Sequence, residues 1–99
     1  MKITTASAAT ALLVLSAVAA IAQTVTITGC PVPGVEPKCL LIRGTDNVTY
    51  NITGAKQRPN IGQRAVRLTG TKTRKASYCQ QGVVLDNISW TYTDQKCTQ

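Results

Sequence analysis

Thr24-Val25-Thr26-Ile27-Thr28 sets an aliphatic side chain between threonines at every second position. Successive side chains of a strand point to opposite faces, so Val25 and Ile27 share one side and the threonines the other, as in a half-buried β-strand. The same rhythm recurs downstream. Cys39-Leu40-Leu41-Ile42-Arg43 is a short apolar run closed by a turn signal at Gly44-Thr45-Asp46, and Asn47-Val48-Thr49-Tyr50-Asn51-Ile52-Thr53 alternates again. Residues 39–53 therefore read as a β-hairpin. Ala65-Val66-Arg67-Leu68-Thr69 makes the next strand, with room to run on through Lys72 and Thr73. Val83 to Tyr92 makes the last, with Val84, Ile88, Trp90 and Tyr92 in one phase and Asp86-Asn87 interrupting the pattern as a bulge would.

Nothing after residue 22 shows helical periodicity over two turns, and the 54–64 connection holds Pro59 and two glycines, leaving room for little more than a turn. Ile27-Thr28-Gly29, Ile52-Thr53-Gly54 and Leu68-Thr69-Gly70 repeat one motif at unequal spacings. Each reads as an inward aliphatic, an outward Thr and a Gly where the strand bends or stops. Five strands in so short a chain predict an all-β fold, a small closed barrel without unpaired edges. After residue 22, sixteen Val, Ile and Leu, with Tyr50, Tyr78, Trp90 and Tyr92, are enough to fill one narrow interior. Any binding site is then expected on the exterior.

The first 22 of the 99 residues read as a cleaved signal peptide. Lys2 supplies the positive start, Ala8 to Ala22 carries no charge, and Ala20-Ile21-Ala22 gives a small-x-small site before Gln23. The domain is expected to span residues 23–99 and the protein to be secreted or periplasmic, with no membrane span after the leader. All four cysteines, Cys30, Cys39, Cys79 and Cys97, lie beyond the leader. In an exported chain with a small core they are expected to form two disulfides. Three pairings are open; the preferred one joins Cys30 to Cys39 around the Pro-rich loop 31–38, leaving Cys79 with Cys97. No C-x2-4-C spacing and no His are present, so no metal or other cofactor is expected.

The order of motifs resembles an OB-type barrel, and more narrowly the small exported bacterial OB-like proteins of uncharacterised function. The resemblance rests on Thr26-Ile27-Thr28-Gly29, the hairpin around Leu40-Leu41-Ile42 and Tyr50-Asn51-Ile52, the stretch Gly62-Gln63-Arg64-Ala65-Val66-Arg67-Leu68-Thr69-Gly70, and Gly82-Val83-Val84-Leu85. It covers nearly all of residues 24–92. It departs from that pattern in having no room for the usual helix between the third and fourth strands and few surface aromatics to stack on bases. The resemblance implies a fold and a compartment, not an activity.

Enzyme chemistry is poorly supplied. There is no His, and Glu36, Asp46, Asp86 and Asp94 are isolated from one another in sequence. Catalysis is not expected. Charge is the stronger signal: Lys56, Arg58, Arg64, Arg67, Lys72, Arg74 and Lys75 fall in one segment, 56–75, that contains no acid. Arg67 is expected to point outward opposite Val66 and Leu68, with a basic tip at 72–75 and Tyr78 beside it. Such a surface attracts anions, so the first expectation is a binding module for an anionic envelope component or protein. Nucleic acid is the least favoured anion, because strand phase sends Tyr50, Trp90 and Tyr92 to the core. The alternative is a protein–protein module, an inhibitor or secreted effector, that presents Val32 and Val35 on the loop between Cys30 and Cys39. A monomer is expected. The N-x-S/T sequons at Asn47, Asn51 and Asn87 read as ordinary wet-face and turn residues.

Overall fold

The computed structural model describes residues 23–98; the leader expected over residues 1–22 lies outside them. The chain is all-β, with β1 (Thr24–Pro33), β2 (Leu40–Gly44), β3 (Thr49–Asn51), β4 (Arg64–Lys72) and β5 (Val83–Lys96). Hydrogen bonding joins them in a closed ring, β1-β2-β3-β5-β4 and back to β1. All neighbours are antiparallel except β3 and β5, which run parallel through Tyr50–Val83 and Asn51–Val84. Among the described residues no helix is long and apolar enough to cross a membrane.

The aliphatics that alternate in sequence meet inside the ring. Ile27, Leu40, Ile42, Tyr50, Ile52, Val66, Leu68 and Leu85 form one buried cluster, with Val25, Val83, Ile88 and Trp90 packed against it. Every strand contributes, and each such side chain withdrawn from water stabilises the fold by about 1.5–3 kcal/mol. Arg67 is exposed between fully buried Val66 and Leu68, as the alternation requires. Ile27, Ile52 and Leu68 of the repeated motif all point inward.

β1 serves two partners. Thr24 to Gly29 pairs with β4, and Gly29 to Pro33 pairs with β2. Gly29 sits at the change of partner, where a Cβ would stand 2.2 Å from the Arg43 carbonyl oxygen, so only glycine fits. Beyond it Pro31 and Pro33 continue the strand, because β1 there has a neighbour on one side only and a missing N–H costs no ladder bond. The expected 31–38 loop therefore shrinks to the residues between Pro33 and Leu40.

The disulfides differ from the preferred pairing: Cys30 joins Cys97, and Cys39 joins Cys79. Strand register explains this. Cys30 lies opposite Arg43, and the ladder reaches Leu40 only at Pro33. Cys30 is thus about 10–13 Å along the strand from Cys39, beyond the reach of a disulfide. The bridges are nested, the outer tying the end of β5 to β1. The inner one holds the 73–82 connection against β2, where Cys39, Leu41 and Cys79 form a second small cluster with Val32. Leu41 is therefore buried outside the ring while Leu40 and Ile42 are buried inside it, which accounts for a continuous apolar run in place of alternation. Asn51, 1% exposed, completes the join: its Nδ2 donates to the Cys79 carbonyl and its Oδ1 accepts from the Thr53 N–H.

β5 carries the expected bulge. Thr69 pairs with Ser89 and Thr71 with Asp86, so β5 spends one residue more than β4 over that interval, and Asn87 takes a φ of 52°. One extra residue exchanges the faces of a strand. The single phase expected for Val84, Ile88, Trp90 and Tyr92 is accordingly corrected: Val83 and Leu85 face the core before the bulge, Ile88 and Trp90 after it. Tyr92 is 38% exposed, and its hydroxyl accepts the Asn60 N–H.

Candidate functional site

Three connections and one strand line an open groove. Lys38 comes from the β1–β2 loop; Thr53, Gly54 and Arg58 come from the β3–β4 connection. Thr73, Lys75, Ala76, Ser77 and Tyr78 come from the β4–β5 connection, and Val84, Leu85 and Asp86 from β5. The groove holds about 730 Å³ and is more apolar than polar. It opens to solvent, as expected for a chain whose interior is filled by its own side chains.

Local bonds fix its walls. Lys38 and Tyr78 each precede a half of the inner disulfide, so that bridge sets their separation. The Tyr78 hydroxyl donates to the Pro37 carbonyl. Arg58 reaches across the mouth: Nη1 donates to the Thr53 carbonyl at 2.6 Å and Nη2 to the Lys38 carbonyl at 2.7 Å. Its guanidinium is thus positioned by two backbone groups while its charge meets no carboxylate. Asp86, the single acid lining the groove, is spanned by Lys75 at 3.0 Å, the one ion pair among the described residues. Both partners are largely exposed, so the pair adds little stability and mainly cancels the acid's charge. Lys38 and Arg58 then leave the mouth electropositive.

The structure divides the seven basic residues expected to act together. Arg58 and Lys75 line the groove. Lys56 borders a smaller depression of about 220 Å³ that shares Gly54 and Asp86 with it. Arg67, on β4, lies away from the groove beside Trp90 and Thr91 of β5. Arg64 pairs in register with Lys96 at the far end of β4 and β5. Lys72 is close enough to Asp46 for its charge to help hold that carboxyl low, behind the larger effect of the Tyr50 hydroxyl. Arg74 is exposed in the β4–β5 connection without lining the groove.

Sequence reading missed Lys38, which lies outside the basic segment and reaches the groove only because Cys39 is bridged to Cys79. Tyr78 is 56% exposed beside Lys75, where the sequence placed it. In the loop expected to carry a protein partner, Val32 is half-buried against the second cluster, while Val35 is 83% exposed and its N–H donates to Gln81 Oε1. Asn51 is buried with its amide occupied; Asn47 is exposed in the β2–β3 turn and Asn87 at the β5 bulge, both with positive φ. Comparison with family models, with curated proteins and with solved structures returns no match.

Proposed function

We propose that this protein is an exported, non-enzymatic binding module with an OB-like barrel, and that it holds an anionic envelope component or protein at the groove between its connections. The ring order with one parallel pair, β3 with β5, supports the OB-like reading. Two disulfides suggest an oxidising, non-cytoplasmic setting and so support export. The observation that carries the proposal is the convergence of Lys38 and Arg58 on one groove whose single acid, Asp86, is already paired with Lys75. A groove of this size with a few fixed polar groups is the usual form of a ligand site. One neutralised carboxylate gives little material for acid–base catalysis.

Retention on immobilised dextran sulfate, measured against NaCl, tests this. Lys38→Glu with Lys75→Glu should weaken retention about tenfold more than Arg64→Glu with Arg67→Glu, although both pairs change net charge equally. Equal losses would assign the binding to diffuse surface charge instead. A second reading, contact with a protein through the loop between β1 and β2, keeps only Val35 of the two valines first considered, on the strength of its exposure. Val35→Asp should then abolish capture of that partner without altering dextran sulfate retention.

A further inference from the structure

We infer that the ligand of the groove is an amphiphilic anion, a phosphate, sulfate or carboxylate head carrying a single alkyl or acyl chain. The inference rests on the reading of the groove as an anion site and adds what lies beneath the cations.

A pure polyanion needs a charged surface and has no use for an apolar floor; a neutral hydrophobe needs the floor and has no use for the charges. This groove has both. Ala76 and Val84 give it carbon surface, and its lining is more apolar than polar. Lys38, Arg58 and Lys75 stand around it, with the ring of Tyr78 as a wall. Arg58 is the pre-set part of the head site, since two backbone carbonyls hold its guanidinium before any ligand arrives. A guanidinium so held loses less freedom on binding a phosphate or carboxylate than a free side chain would. The volume of about 730 Å³ lies within the range of sites that enclose most of a small organic ligand.

Nucleic acid fits less well. Tyr78 is the one aromatic lining the groove, where a strand of bases would call for stacking faces in series.

Titration calorimetry with the full chain, below each probe's micelle concentration, tests the inference with dodecyl phosphate, inorganic phosphate and dodecyl maltoside. Dodecyl phosphate should bind at least about tenfold more tightly than either of the others, and from decyl to dodecyl phosphate affinity should rise up to about fourfold per methylene. Ala76→Trp, at an exposed loop position, should cover the carbon surface and weaken dodecyl phosphate about tenfold, with the thermal midpoint unchanged. If inorganic phosphate binds as well as dodecyl phosphate, or dodecyl maltoside does, the inference is overturned. Failure of every amphiphile while dextran sulfate is still retained overturns the inference and leaves the anion-site reading standing; loss of both removes the reading too.

Discussion

Removing the inner disulfide is the most informative perturbation, because that bridge both staples the fold and sets the groove. In the variant Cys39→Ala with Cys79→Ala, the outer bridge between Cys30 and Cys97 remains. The lost bridge joins residues 40 apart in sequence. In the chain-entropy account, a loop of that length restricts the unfolded state by about 4 kcal/mol, reduced to about 3 kcal/mol because the outer bridge already confines the same segment. The two sulfurs also leave a cluster in which Cys39 and Cys79 are almost wholly buried against Leu41, which adds to the loss. For a chain of this size, about 3–4 kcal/mol corresponds to a fall in Tm of about 12–30 °C. Thermal unfolding followed by far-ultraviolet circular dichroism reads this directly. The connectivity is read independently from the unreduced parent, since trypsin leaves each cysteine on its own peptide. Peptide 39–43 should be joined to 76–96, and the peptide ending at Lys38 to 97–99. A Tm within about 3 °C of the parent would refute the entropic reasoning; a link between Cys30 and Cys39 would refute the nested pairing itself.

Two further outcomes follow from local geometry. Gly29→Ala should destabilise by about 3 kcal/mol or more, because its Cβ would meet the Arg43 carbonyl oxygen inside a strand ladder. Gly54→Ala, in the same sequence motif, has nothing within 4 Å and should be neutral or stabilising by about 0.4–1 kcal/mol, so denaturant midpoints moving in the same direction would contradict the structure. The Tyr50–Asp46 hydrogen bond predicts a pH window at each end. The Tyr50 hydroxyl, followed by the Val48 N–H, lowers the Asp46 carboxyl below its ordinary range, so its stabilisation is present above about pH 4 and fades as pH falls. Tyr50 is in turn pushed up to about 12 by the carboxylate and then by burial, so its contribution is present below about pH 10 and fades as pH rises toward 12. Absorbance titration should show a late phenolate step toward pH 12, and Tyr50→Phe should remove that step and raise the Asp46 pKa. Absence of the late step in the parent would discard the bond.

Alternation made β1, β4 and β5 legible because the ring has a wet outside and a dry inside, so the two-residue period of a strand becomes a two-residue period in hydrophobicity. It failed where a third layer intervenes. Leu41 is buried by the 73–82 connection, and no local signal reveals that a distant segment will cover that face. The bulge at Asn87 was visible as a break in pattern, yet its consequence, the exchange of faces beyond it, required counting β5 against β4. Pro31 and Pro33 looked like loop residues because their value depends on whether a neighbour strand needs their N–H groups, a property of the partner and not of proline. The groove shows the same limit at larger scale. Lys38, Arg58 and Lys75 come from three separate connections and share no period, so charge density pointed to the 56–75 segment while the nested bridge recruited a residue outside it.

Both bridges span every peptide bond between Cys39 and Cys79, and the outer one spans every bond from Cys30 to Cys97. A protease that nicks the exposed stretch around Lys56, or the one around Arg74, therefore releases nothing. The two halves stay one molecule, joined at two points, with the same charge around the same groove. After one such cut, separating the halves takes reduction of both bridges or further cuts elsewhere, so a single cleavage does not dismantle the groove.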